Sequence, residues 1–153
     1  MSLVRAHAAA RAGLIGNPSD LYGGCGIGFT IGDFGAEVEL APAGECRFPS
    51  PLIEAAWKVL GDPELPPCRA RFRCDVPRQA GLAGSSAIAI AALRAFEAFY
   101  GFRLPPSRLA GLAIKAGHAP LGIRAGPLDL LIPAHGGPLW IGLARPFRLP
   151  PAG

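Results

Sequence analysis

Apolar stretches separated by glycine and proline divide the chain into predicted strands and helices. Short apolar runs between turn residues are typical of strands, and longer runs that open with a capping residue are typical of helices. The predicted strands cover residues 25–31, 36–41, 68–76 and 138–143, and the predicted helices cover residues 51–60, 85–100 and 107–116. A turn at 32–35 joins the first two strands, and the proline-rich tail 145–153 is predicted to continue no element.

The composition indicates one folded domain. The chain has 153 residues, of which 50% are hydrophobic and 17% charged, and this favours a packed globule over disorder. The net charge of +4 is mild, and no basic block interleaved with aromatic residues is present, so we expect no nucleic-acid binding. Arg69, Arg71 and Arg73 alternate on one strand. We interpret them as a solvated face, with an acidic or phosphate-bearing partner as the second choice.

The cysteines and histidines predict no metal site. Cys25, Cys46, Cys68 and Cys74 form no C-x-x-C pair, and the three histidines are scattered. No secretory signal and no membrane-spanning run is recognisable. We therefore expect a reduced cytoplasmic protein without membrane association, in which the cysteines are small buried hydrophobic residues.

The stretch from Pro77 to Phe96, "PRQAGLAGSSAIAIAALRAF", places glycines and two serines at the start of a predicted helix. A helix start has backbone N–H groups without partners, and the helix dipole makes it electropositive. Small residues would let an anion approach these groups, so the loop can cradle a phosphate. The alternative is a serine-capped helix in which glycine only permits close packing on a strand. No Walker pattern is present.

Three segments in order along the chain carry a joint pattern. They are "P-x-x-x-G-L-x-G-S-S-A" from Pro77, "ARAGLIGNPSDLYGG" at 10–24 and "GIRAGPLDLLIPAHGGPLWI" at 122–141. The first resembles the phosphate-binding motif of the GHMP small-molecule kinases. The second is similar to the N-terminal signature of their sugar kinases, and the third to the stretch with their catalytic aspartate. Together they look most like the glucuronokinase-type branch.

The resemblance implies an α+β fold of the ribosomal-S5-domain-2 type, with residues 1–153 as the N-terminal, ATP-binding domain. It implies that ATP and Mg²⁺ lie along the loop and that a hydroxyl of a sugar or sugar acid attacks the γ-phosphate. The nucleotide contacts that it implies are Gly81, Leu82, Gly84, Ser85 and Ser86. Ser86 is the first choice as magnesium ligand, and Ser85 is the alternative.

The resemblance also assigns catalytic and substrate residues. Asp129 matches the aspartate that takes or orients the proton of the substrate hydroxyl, and Arg11 matches the arginine beside it. Asn17 and Asp20 match positions that face the sugar. Outside this pattern, Asp20 is more often a turn residue, Arg11 a surface arginine and Asp129 a helix cap. An adjacent arginine would keep a carboxylate ionised, and a hydroxyl needs such an acceptor to become a nucleophile.

The sequence departs from the family pattern in three respects. Full-length members have a second domain, whereas this sequence stops at Gly153, which predicts a natural half, a fragment or a truncated product. Residues 112–121 lack the glutamate that binds magnesium in the family, so His118 or water would have to substitute. Leu130 replaces an arginine after the aspartate. This leaves the recognition of a sugar acid open, and we expect weak Mg-ATP binding and slow or no turnover by the chain alone.

Three functions compete. The first is an ATP-dependent sugar kinase. The second is a non-catalytic half-domain that retains some nucleotide binding and needs a partner chain for activity. The third is an RNA-associated domain, which the missing basic patches disfavour. Two geometric expectations test the site: the start of the helix near Ser85 should be open to solvent, and Arg11 and Asp129 should approach each other.

Overall fold

Two long antiparallel strands, β1 (Val4–Ile15) and β2 (Gly26–Pro42), form the longest pair of a five-stranded sheet, in which β1 comes first in the strand order and β2 second. The computed structural model describes residues 2–62, 64–142 and 146–148. The other strands are β3 (Cys68–Cys74), β4 (Leu139–Ile141) and β5 (Pro146–Arg148). β3 and β4 pair with opposite ends of β2, and β5 extends the sheet beyond β4. All four strand pairings are antiparallel.

The predicted turn at 32–35 is wrong, because β2 runs through it without reversing direction. The partner of Ala9 is Gly35, whereas the partner of Ala10 is Ile31. Three residues of β2 therefore bulge out opposite a single step of β1. A bulge bends the strand that carries it and increases its local twist. Glycine and aspartate at 32–35 mark this bulge and not a hairpin.

Four α-helices and a short 3₁₀ helix complete the described part of the chain. They are the 3₁₀ helix Ser19–Tyr22, α1 (Pro51–Lys58), α2 (Gly84–Tyr100), α3 (Pro106–Leu121) and α4 (Pro127–His135). The predicted start of α1 is confirmed, since the Ser50 hydroxyl accepts a hydrogen bond of 3.3 Å from the Leu52 N–H. β1, α4 and β5 were not predicted. The tail prediction is thus wrong for 146–148, and its other residues lie outside the described part.

The core is built around α2, which contacts β1, β2 and the other three α-helices. Ile90, Leu93 and Phe96 are fully buried. A helix that is apolar on all sides is typical of a central position. α2 ends at Gly101, whose φ of +77° is the left-handed conformation that stops a helix. Its other end, at Gly84, points to the loop that the sequence singled out.

The cysteine prediction is wrong for two of the four side chains. Cys68 is buried and Cys74 half-buried, whereas Cys25 and Cys46 are exposed; all four are free thiols. The exposed face predicted for Arg69, Arg71 and Arg73 is confirmed. Within the described residues, no helix combines the length and the apolar character needed to cross a bilayer.

A polar cluster anchors the C-terminal end of α2. Tyr100 donates to the Pro66 carbonyl at 3.0 Å and accepts from the Trp57 indole N–H at 3.1 Å, and its oxygen lies 3.5 Å from the Cys68 sulfur. Burial raises the pKa of Tyr100, with a further contribution from the hydrogen bond with Cys68. Burial likewise raises the pKa of Cys68. Both groups are therefore held in their neutral forms.

We expect this cluster to make the protein less stable at alkaline pH. The ordinary pKa values are 9.0 for the thiol and 10.0 for the phenol, and folding raises both. The unfolded chain then loses protons first, so the free energy of unfolding falls as the pH rises through this range. Urea unfolding at a series of pH values measures the decline, and Tyr100→Phe should make it shallower. A free energy of unfolding that stays constant up to about pH 11 would contradict the prediction.

Candidate functional site

The loop before α2 has the open backbone expected of an anion site. Gly81 has a φ of +73°, and a Cβ there would meet no atom within 4 Å. Ala83 is the N-cap residue, with a φ of +56°, and no side chain caps the helix. The serine cap is therefore wrong, since Ser85 and Ser86 both lie inside the first turn. Because no side chain accepts from the first N–H groups, they are available to a ligand.

The predicted opening to solvent is confirmed at Ser85, which is exposed, whereas Ser86 is only 3% exposed. Gly84 has a packing role as well, because a Cβ there would lie 3.3 Å from the Val76 Cβ. Close packing on the end of the strand and an open helix start thus occur together. The two glycines are needed for different reasons: Gly81 for its backbone conformation and Gly84 for its contact.

A cleft of about 760 Å³ runs along this loop. Its walls include Ser85 and also three residues that sequence reasoning missed: Phe72, Arg78 and Ile88. Phe72 lies between two exposed arginines of β3 and points to the opposite side of the sheet. This alternation was visible in the sequence, but nothing indicated that the phenyl ring would border a cleft. A volume of this size is in the range of pockets that bind small molecules.

Arg11 and Asp129 meet across 118 positions of sequence, which confirms the expected approach. The Arg11 Nε donates to Asp129 Oδ1 at 2.8 Å, and Arg11 Nη2 donates to the same oxygen. The arginine side chain is 6% exposed and the aspartate side chain 21%. The pair is therefore shielded from bulk water on the arginine side, while the carboxylate retains an accessible edge.

Arg11 also joins this pair to the loop. Its Nη1 donates to the Gly81 carbonyl at 2.8 Å, and its backbone N–H donates to the Leu82 carbonyl at 3.3 Å. One guanidinium thus bridges the loop before α2 and the carboxylate of Asp129. The two features that the sequence placed in separate motifs form one site.

Asp129 lies in the first turn of α4. Its Oδ2 accepts from the Gly126 N–H at 3.3 Å, so the carboxylate caps its own helix while Oδ1 binds Arg11. The interpretation of Asp129 as a helix cap is therefore correct, and it does not exclude the contact with Arg11. Carboxylates are stabilised at this end of a helix by the unpaired N–H groups and the dipole.

The two residues predicted to face the sugar have different surroundings. Asn17 is exposed, next to Gly13, whose Cβ would lie 3.2 Å from that of Asn17. Asp20 is 6% exposed, and its Oδ2 accepts from the Leu128 N–H at 3.0 Å. Its carboxylate is thus bound to the start of α4, one residue before Asp129.

The described residues offer little to hold a cation by themselves. No group of three or more His, Cys, Asp or Glu side chains suited to a metal is found among them. Residues 112–121 belong to α3, and the side chain of His118 lies outside the described part of the chain. The hydroxyl of Ser85 borders the cleft and suits a Mg²⁺ ion that arrives with a nucleotide, since such ions take most ligands from phosphate and water, whereas Ser86 is buried and does not border the cleft.

Comparison with known proteins agrees with this geometry. Residues 51–137 match the family model described as the GHMP kinases N terminal domain. The chain is 32% identical to Glucuronokinase 1 of Arabidopsis thaliana in an alignment 165 positions long, which covers 84% of this chain and 46% of that protein. Probable glucuronokinase 2 of the same plant is also 32% identical, with 85% and 46% covered. The chain therefore spans about half the length of these relatives.

Solved structures share the fold at low sequence identity. The chain superimposes on Lactococcus lactis galactokinase complexed with galactose with a TM-score of 0.83 and 14% identity, covering 97% of this chain and 47% of that one. For Methanococcus jannaschii mevalonate kinase the TM-score is 0.79 at 17% identity, with 98% and 56% covered. The predicted α+β fold of the ribosomal S5 type is confirmed. The chain belongs to the GHMP kinases, and it contains the N-terminal domain of that family.

Proposed function

We propose that residues 1–153 form the ATP-binding domain of a kinase that transfers the γ-phosphoryl group of ATP to a hydroxyl of a sugar or sugar acid. The observation that supports this best is the Arg11 guanidinium, which bonds both Asp129 and the Gly81 carbonyl. It brings a carboxylate that can accept a proton next to a loop that can hold phosphates. Phosphoryl transfer depends mainly on such positioning and on electrostatic stabilisation.

In this proposal the nucleotide occupies the cleft along the loop. Its phosphates accept hydrogen bonds from the backbone of Gly81, Leu82 and Gly84 and from the first turn of α2. The apolar side chains of Phe72 and Ile88, which also line the cleft, would contact the base. Ser86 is the proposed magnesium ligand and Ser85 the alternative. Ser85 borders the cleft directly, whereas Ser86 borders a smaller pocket with Leu130 and α3.

Asp129 is the proposed proton acceptor. The substrate oxygen forms a bond to the γ-phosphorus, the bond from that phosphorus to the bridging oxygen breaks, and ADP leaves. The proton of the substrate hydroxyl passes to Asp129, whose exposed edge remains accessible. Arg11 orients the carboxylate through the bonds from its Nε and Nη2, and its positive charge offsets the charge of the transferring group.

The substrate class is proposed from the relatives, which are named as glucuronokinases. Asn17 is exposed, lies next to Gly13, and is a candidate contact for substrate hydroxyls. Leu130, where the glucuronokinase-type pattern has an arginine, is 2% exposed and buried in the core. It cannot bind a carboxylate, so a neutral sugar stays as open a choice as a sugar acid.

The second candidate is a non-catalytic half-domain that binds nucleotide weakly and acts with a partner chain that supplies the second domain. It is favoured by the lack of a carboxylate in residues 112–121. The two candidates differ in phosphoryl transfer and not in nucleotide binding. A transfer assay with radiolabelled ATP and a panel of sugars and sugar acids separates them.

We expect calorimetric titration to detect weak Mg-ATP binding, and Gly84→Val and Ser86→Ala to weaken it by roughly 10-fold or more. The valine would collide with Val76, where even a Cβ lies at 3.3 Å, and would distort the helix start. Gly111→Val in α3 is the matched control, since a Cβ at Gly111 meets no atom within 4 Å. Equal Mg-ATP affinity in wild type and both loop variants would refute the loop as nucleotide site.

A further inference from the structure

The carboxylate of Asp20 is buried although it belongs to an exposed turn. Asp20 is 6% exposed, while its neighbours Ser19 and Leu21 are exposed. The turn is fixed from within: the Asp20 N–H donates to the Gly16 carbonyl at 3.0 Å, and the Gly24 N–H donates to the Ser19 carbonyl at 2.9 Å. The backbone thus holds the carboxylate in one direction, toward α4.

Asp20 accepts a hydrogen bond from the backbone at the start of α4. Its Oδ2 accepts from the Leu128 N–H at 3.0 Å in a buried setting. The carboxylate fills the space beside Gly126, where a Cβ would collide with Asp20 Oδ2. Gly126 has a φ of −77°, which any residue adopts, so its backbone conformation does not require glycine. Glycine is required at position 126 because a side chain there would collide with the Asp20 carboxylate.

We propose that Asp20 is a positioning residue for Asp129. By binding the Leu128 N–H, it fixes the first turn of α4, and this turn sets the place of the Asp129 carboxylate against Arg11 and the loop. The proposal rests on the proposed function for its effect on catalysis, but its structural part stands without it. It also changes the role expected for Asp20, from a contact to the sugar to a support behind the carboxylate.

A mutant series tests this role, because Asp20→Asn keeps an oxygen that can accept from Leu128, whereas Asp20→Ala does not. Gly126→Ala should act like Asp20→Ala, since its methyl group displaces the carboxylate. The double variant Asp20→Ala/Gly126→Ala should be no more impaired than Asp20→Ala, because the collision no longer occurs. This coupling tests the contact between the two residues, and the two measurements below decide what that contact does.

The first measurement is hydrogen exchange by NMR, which needs no activity. We expect Asp20→Ala and Gly126→Ala to accelerate exchange of the Leu128 N–H and the Arg11 Nε–H by about 10-fold, and Asp20→Asn to change it much less. Asp62→Ala is the matched control, since Asp62 also accepts a backbone N–H, that of Glu64, in an exposed loop. If Asp20→Ala does not fold, the other two single variants carry the test.

The second measurement is the split between kcat and KM for the sugar. A positioning role lowers kcat about 10- to 100-fold in Asp20→Ala and Gly126→Ala, with KM unchanged and with rescue in Asp20→Asn. A higher KM in both Asp20 variants, with unchanged exchange at Leu128 and Arg11, would overturn the proposal in favour of a substrate contact. A wild-type chain without phosphoryl transfer would favour the non-catalytic half-domain over the kinase, and the exchange data would still decide the role of Asp20.

Discussion

Replacing Asp129 with asparagine is expected to slow phosphoryl transfer by about 10²- to 10⁴-fold, the usual contribution of a positioned acid or base. The asparagine oxygen can take the place of Oδ1 and accept from Arg11, whereas the 3.3 Å bond from the Gly126 N–H to Oδ2 is lost because the amide nitrogen is a donor. The neutral amide cannot take the proton of the substrate hydroxyl. The contact with Arg11 should therefore survive while the chemistry fails, and kcat should fall with little change in the affinity for Mg-ATP. Transfer from radiolabelled ATP under single-turnover conditions measures this rate.

Asp75→Asn is the matched control for this substitution. The Asp75 Oδ1 accepts from the Gly35 N–H at 2.7 Å, so this aspartate also binds a backbone amide, but it does not contact Arg11. We expect it to leave the transfer rate near that of the wild type. If Asp129→Asn retained the full rate, Asp129 would be only a helix cap, and the proton would have to leave by another route. Equal losses in both variants would point to general destabilisation.

The strand β1 shows why local pattern reasoning missed part of the fold. Its sequence, VRAHAAARAGLI, is rich in alanine, which has a low preference for strands. Pairing with β2 overrides this preference, and small side chains such as Ala8 and Ala10 let β1 lie close to the alanine-rich α2. The alternation of Val4, Arg5 and Ala6 at its start was the available signal. It was too short to outweigh the composition.

α4 was missed for a related reason. The sequence has Pro127 at its start and Pro133 within nine residues, between glycine-rich flanks, and such a segment is typical of a loop. A proline in the first turn is also a helix start signal, because that position needs no N–H. Taking Pro127 as a helix start would have placed Asp129 in the first turn of that helix. It would also have limited where its carboxylate can form a capping bond and how far it can lie from the strands.

The sequence predicted which residues belong to the site, but not how they contact one another. The motif resemblance brought together Arg11, Asp129 and the loop, which local propensities could not do across 118 positions. It did not reveal that Arg11 bonds the Gly81 carbonyl or that Asp20 is buried beneath α4. Such contacts depend on how separate elements pack, and a short polar motif gives no information on which side chain turns inward.

Arg11→Ala is expected to destabilise the domain by about 3 kcal/mol, because breaking a buried ion pair leaves the partner unpaired. The guanidinium makes side-chain bonds to Asp129 and Gly81 from a position that is 6% exposed. Its loss frees the Asp129 carboxylate and the Gly81 carbonyl together. For a domain of this size the expected fall in melting temperature is roughly 6–12 °C. Calorimetry or thermal unfolding followed by circular dichroism measures it.

Two substitutions show whether this loss comes from the bridge that Arg11 forms. Arg11→Lys keeps the charge, but a single ammonium group cannot reproduce the fork that bonds Asp129 and Gly81 at once, so we expect only partial recovery of the melting temperature. Arg5 lies on the same strand, and its side chain pairs with Glu39 at 2.8 Å, but the Arg5 side chain is 62% exposed. Solvent screens this pair, so Arg5→Ala should change the melting temperature little. If Arg11→Ala proved as mild as Arg5→Ala, the Arg11 bridge would not hold the loop and α4 together, and the orientation of Asp129 would have to come from α4 alone.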